Sequence, residues 1–145
     1  MANVKIRLVV NTEELERQGQ VKALCYLVDN LSNPKPKENP KDHCTTIDQA
    51  QTIEWSGLPK NPNIFDQVSI DSISYEDKKS NKKKNEKDLF GVSNLTGPNG
   101  VIYGTIIANN FKSADEETYC INFTVIKSNG KSESYHVDPK LRVKT

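Results

Sequence analysis

The stretch Thr118-Tyr119-Cys120-Ile121-Asn122-Phe123-Thr124-Val125-Ile126, with the Ser128-Asn129-Gly130-Lys131 turn and the returning Glu133-Ser134-Tyr135-His136-Val137, decides the fold class. Successive residues of an extended chain point to opposite faces. Tyr119, Ile121, Phe123 and Val125 therefore share one apolar face, and Cys120, Asn122, Thr124 and Ile126 share the other, as in a half-buried strand. Asn129-Gly130 between two extended runs signals a hairpin, because both residue types accept the positive φ of a tight turn. The chain closes through Asp138-Pro139-Lys140-Leu141-Arg142-Val143. Pro139 has no N–H for a ladder, so it predicts a bend or an edge position and makes the last strand a candidate edge. The hairpin speaks of architecture before chemistry.

The same alternation recurs upstream. From Asn3 to Val10, Val4, Ile6, Leu8 and Val10 oppose Lys5, Arg7 and Val9, which predicts a first strand. Asn11 or Thr12 is placed to cap a short helical turn whose first positions hold Glu13 and Glu14, and Gly19 ends it. Val21 to Val28 is apolar on both faces and predicts a strand central in its sheet. Pro34, Pro36 and Pro40 make the following segment a loop. Thr45 to Gln49 reads as a short edge strand and Gln51 to Trp55 as a better one. Between Gln67 and Tyr75 the apolar spacing slips by one residue from Ile70 to Ile73, the trace a β-bulge leaves. The Lys/Asn run from Asp77 to Asp88 holds no apolar residue and predicts an exposed connection. Val101 to Ala108 is again a strand, apolar on both sides. The expectation is an all-β chain: an antiparallel β-sandwich, jelly-roll or Ig-like, of about eight short strands with at most one short helical turn. Residues 1–145 form a single domain on this reading, with loops at 29–44 and 77–88.

Composition narrows the function classes. A formal net charge of +1 over 145 residues lacks the basic excess of a nucleic-acid-binding domain. The Lys/Asn run also lacks the interleaved aromatics on which bases stack, so no specific nucleic acid is expected. No apolar stretch has the length of a secretory signal or a membrane span. The expected location is cytoplasmic, or outside the cell by a route without a cleaved signal. Cys25, Cys44 and Cys120 are odd in number and share no tight spacing, which argues against a disulfide framework.

Asp42-His43-Cys44 is where three reactive side chains adjoin in sequence. Neighbours in an extended segment point apart, so no metal site, cofactor or catalytic residue is expected there. An enzymatic reading would need the fold to bring His43 or His136 within hydrogen-bond reach of a cysteine or a carboxylate. Trp55 alternates with Ile53, a core pattern, yet a single Trp is also a common anchor for a sugar or a partner. A ligand site built on it would draw on Tyr26, Asp29, Asn109 and Asp115, residue types that ordinary turns also use.

Several landmarks lie in the order found in the PixA/AidA family of bacterial inclusion-body proteins. Leu8-Val9-Val10-Asn11-Thr12-Glu13 resembles that family's opening strand and turn, and Tyr26-Leu27-Val28-Asp29 resembles the close of its second strand. Gln51-Thr52-Ile53-Glu54-Trp55 and Val68-Ser69-Ile70 follow, and Asp138-Pro139-Lys140-Leu141-Arg142-Val143-Lys144 resembles its D-P-x-L-x-V-K ending. Asn11 stands where the family usually has Asp, and Met1 is the lone methionine, whereas crystalline inclusion proteins of the family are rich in that residue. The resemblance implies a compact β-sandwich without enzymatic activity. The functional expectation is a bacterial protein that acts through protein contacts, most of all as a homo-oligomer or higher assembly. The alternative is a lectin-like module that binds carbohydrate or a small ligand.

Overall fold

The computed structural model describes residues 4–13, 24–30, 43–48, 51–74, 94–106 and 116–144. Among these, the chain is mostly strand, with almost no helix. The strands are β1 (Val4–Val10), β2 (Cys25–Asp29), β3 (Cys44–Asp48), β4 (Thr52–Pro59), β5 (Gln67–Ser74), β6 (Asn94–Thr96), β7 (Ile102–Thr105), β8 (Glu116–Thr118), β9 (Cys120–Ile126), β10 (Ser132–Val137) and β11 (Lys140–Lys144). They exceed the predicted eight because Asp138-Pro139 splits the closing segment into β10 and β11, and because β6 and β8 are too short for alternation to reveal. Thr12 and Glu13 are helical; the rest of the predicted turn lies outside the described residues, as do residues 31–42 and the Lys/Asn run at 77–88.

Among the described residues three sheets form, in the orders β2-β1-β4-β7, β10-β9-β5-β6 and β3-β11-β8. The first and third are mixed, which corrects the purely antiparallel expectation: β1 runs parallel to β4 and β11 runs parallel to β3, while the second sheet is antiparallel throughout. Turn signals report only on strands adjacent in sequence, and these two pairs join distant ones. Two placements also differ from expectation. The strand β2 lies at the end of its sheet's order: Cys25 and Leu27 on one face join the core, while Tyr26 and Val28 on the other are only half-buried. The final strand β11 is flanked by β3 and β8, so the edge that Pro139 suggested belongs to β10, just before the bend.

The alternation itself holds. Along β9 every second residue, Ile121, Phe123 and Val125, is buried, while the residues between are half-buried. Along β1, Val4, Ile6, Leu8 and Val10 are buried against exposed Lys5 and Arg7. The slip in β5 is a register shift against β9 between Ile70 and Ser72, as a bulge requires. At the hairpin, Lys127 N donates to Lys131 O at 2.7 Å, Gly130 N donates to Lys127 O at 2.9 Å, and Gly130 sits at φ +94°. One hydrophobic cluster draws Ile6, Leu27, Trp55, Ile70, Phe123 and Leu141 from all three sheets. Each such side chain contributes about 1.5–3 kcal/mol on burial.

Candidate functional site

The chemistry-bearing side chains gather at two polar junctions between sheets. The first forms where β2 ends and β3 begins. Asp29 closes β2 opposite Ile6, and His43 immediately precedes β3, whose register with β11 is reinforced by a bond from Lys140 N to His43 O at 2.9 Å. Thr45, the second residue of β3, points inward with them. The Thr45 hydroxyl donates to Asp29 Oδ2 at 2.6 Å, and His43 Nε2 lies 2.9 Å from Thr45 Oγ1 and 3.1 Å from Asp29 Oδ2. The side chains of His43 and Asp29 are fully buried. His43 Nδ1 has no hydrogen-bond partner among the described residues. A proton on Nε2 satisfies both contacts and leaves Nδ1 as a bare acceptor, the less costly atom to leave unpaired. Beside this triangle the Trp55 indole donates from Nε1 to Tyr119 OH at 3.1 Å, with the two rings 5.9 Å apart. Burial, followed by the charge of Asp29, pushes the Tyr119 phenol well above its usual range, outweighing the hydrogen bond from Trp55.

The second junction forms where the β4–β5 loop meets the closing hairpin. Asp66 Oδ2 accepts from Thr12 Oγ1 at 2.7 Å and from Lys127 Nζ at 2.9 Å, and Asp66 Oδ1 accepts from Ser128 N at 2.8 Å. Lys127 Nζ also donates to Thr12 O at 3.1 Å. Burial alone would raise the Asp66 carboxyl. The hydrogen bonds from Lys127, Thr12 and Ser128, with the Lys127 charge, outweigh it and hold the group below the ordinary carboxylate value.

His43 thus reaches a carboxylate, the geometry an enzyme would need, but the connectivity is not that of a nucleophile and its base. In a nucleophilic triad the base contacts the nucleophile through one ring nitrogen and its orienting acid through the other. Here Thr45 and Asp29 both lie on Nε2, and the hydroxyl gives its proton to the carboxylate and not to the imidazole. The triangle closes on itself away from solvent. Among the described residues no three His, Cys, Asp or Glu side chains gather as metal ligands.

Of the proposed ligand residues, the structure describes Trp55, Tyr26 and Asp29. Trp55 is buried at 1% exposure, so it takes the core side of its ambiguity. Asp29 is buried in the triangle, linked to Trp55 through Tyr119, and Tyr26 is half-buried in β2 opposite Val9. Asn109 and Asp115 lie outside the described residues. Sequence reasoning missed Thr45, Asp66 and Thr12, whose partners lie up to 115 positions away. It also missed Phe65, which stands 87% exposed in the β4–β5 loop.

A family model for a domain of unknown function, DUF8788, matches residues 2–129. No curated protein matches the sequence. Among solved structures, an inclusion body protein, PixA, from Burkholderia cenocepacia J2315 aligns over 99% of this chain and 96% of its own, with a TM-score of 0.62 at 8% identity. The fold is therefore shared with PixA, as the landmarks from Leu8 to Lys144 imply. No helix among the described residues is long and apolar enough to cross a membrane.

Proposed function

The chain belongs to this DUF8788 family of unknown function, and we propose that it is a non-enzymatic protein of the inclusion-body type that acts by associating with copies of itself. The observation that carries the reading is the end-to-end structural likeness to a protein whose name is inclusion body protein. The internal chemistry supports it: the imidazole that meets a carboxylate is sealed in the core, and burial pushes the Cys25 thiol up to about 12, away from nucleophilic use. On this reading residues 1–145 are one domain and the sheets form a sandwich, supported by the single cluster to which all three contribute. A cytoplasmic setting is supported by Cys25, Cys44 and Cys120 being reduced cysteines. Size-exclusion chromatography with light scattering is expected to show a dimer or a larger species. A clean monomer at high concentration would remove the reading.

A further inference from the structure

We propose that β10 is the self-association edge, pairing antiparallel with β10 of a second copy across a two-fold axis at Ser134. This rests on the self-association reading above and names its surface. The hydrogen-bond directions of β9 and β10 come first. Lys127 and Lys131 continue the β9–β10 register by one step and are joined by the bond at 2.7 Å. Bonded and non-bonded pairs alternate along an antiparallel ladder. Glu133, Tyr135 and Val137 therefore spend their N–H and C=O groups on β9, and Ser132, Ser134 and His136 turn theirs outward. A second bond agrees with this phase. Ile70, opposite Phe123, gives its N–H to Gly100 O at 3.0 Å, away from β9, so Phe123 faces β10.

Among the described residues, β9 is the one strand that pairs with β10, and β10 is the longest of the strands that end a sheet order. It contains no proline, lysine or bulge, the devices that ordinarily blunt an edge. Ser132, Glu133, Ser134 and His136 are exposed along it. A sheet continues through a two-fold axis when opposed residues share a face, which restricts the register to even offsets. Centring on Glu133 sets two glutamates directly opposite, which is unfavourable. Centring on Tyr135 sends Ser132 against Asp138, already past the end of β10. Centring on Ser134 sets Ser132 against His136 of the second copy, Ser134 against its own mate, and Glu133 against Tyr135 of the second copy. No like charges meet, and every outward group is used, for about six hydrogen bonds between copies. The Tyr135 hydroxyl, which donates to Glu133 Oε2 at 2.8 Å within one chain, then meets a glutamate across the axis as well.

The test uses the full chain. Ser134→Pro removes an outward N–H that β9 does not use, and Ser134→Lys sets two like charges face to face. Both are expected to weaken dimerisation by about a hundredfold or more in light scattering, with circular dichroism and melting close to those of the unaltered chain. Ser134→Cys is expected to form a covalent dimer when diamide oxidises the paired thiols, since Cα atoms of a bonded pair lie about 5.5 Å apart. Ser132→Cys, opposite a histidine, is expected to gain none over the unaltered chain. If the unaltered chain associates, while the Lys variant still does so and the Cys variant fails to cross-link, β10 is not the interface and the self-association reading survives. If the unaltered chain is monomeric, both fall. Should the Pro variant misfold, the Lys and Cys variants decide.

Discussion

Replacing Asp66 by asparagine keeps the size of the side chain and removes its charge, so it isolates what the carboxylate contributes at the hairpin junction. Asp66 accepts three hydrogen bonds, from Thr12, Lys127 and Ser128. Bonds to a charged acceptor are worth about 1.5–3 kcal/mol, against about 0.5–1.5 for neutral ones. An amide retains one acceptor oxygen, so at least one of the three donors is stranded. Two effects reduce the loss: the neutral amide is cheaper to bury, and Lys127, at 17% exposure, regains some water. The expected net destabilisation is about 1.5 kcal/mol at pH 7. With an unfolding entropy of about 2.1 cal/mol/K per residue, a chain of this length loses about 5 °C in Tm. The pH dependence gives the sharper check. The folded carboxyl lies below its ordinary value, so its stabilisation is fully present above the unfolded value near 4 and is lost as pH falls through the folded value. Thermal melts of the two chains should therefore differ at pH 7 and converge in strong acid. An equal deficit at pH 7 and at pH 2.5, or none at pH 7, would refute the role assigned to the charge.

Two further outcomes follow from the other buried groups. Thr45→Val keeps the shape of the side chain and deletes the hydroxyl that contacts both Asp29 and His43; stability by urea titration should fall by about 2 kcal/mol. With a thiol-reactive dye at pH 8, half-buried Cys44 and Cys120 should react in the native protein, while Cys25, raised to about 12 by burial, should react only on unfolding.

What the sequence discloses depends on the range of the interaction. Alternation in β1 and β9, the Asn129-Gly130 hairpin and the slip at Ile70 are local, and each is visible as a pattern of a few residues. The core position of Trp55 follows from its pairing with Ile53 in the same way. The parallel pairing of β1 with β4 is different, because no turn residue records it. Pro139 shows the difference within one motif. It reports the break between β10 and β11, a backbone property, but cannot report that β11 then inserts between β3 and β8. The polar junctions are the least legible. Thr12, Asp66 and Lys127 each look like an ordinary surface residue until three separate segments meet, and their pairing carries no spacing signature.

The two junctions also bear on why polar groups sit inside a protein read as structural. Apolar burial holds sheets together without specifying how they lie, because it is non-directional. Hydrogen-bonded polar groups do specify it, since a displaced partner leaves a buried group unsatisfied. The Asp29, His43 and Thr45 triangle ties the end of β2 to the start of β3, joining the first sheet to the third. The Asp66 cluster ties the segment after β1 to the hairpin that carries β9 and β10, joining the first sheet to the second. Each junction lies at strand ends, where unpaired backbone gives a sheet its freedom to slip. The second bears on the proposed assembly: with Lys127 and Ser128 held by Asp66, the turn that aims β10 is anchored to the body of the molecule. An edge fixed in this way keeps the N–H and C=O groups of Ser132, Ser134 and His136 in line, so pairing with a second copy need not order the strand first, and the entropic cost of association is correspondingly smaller.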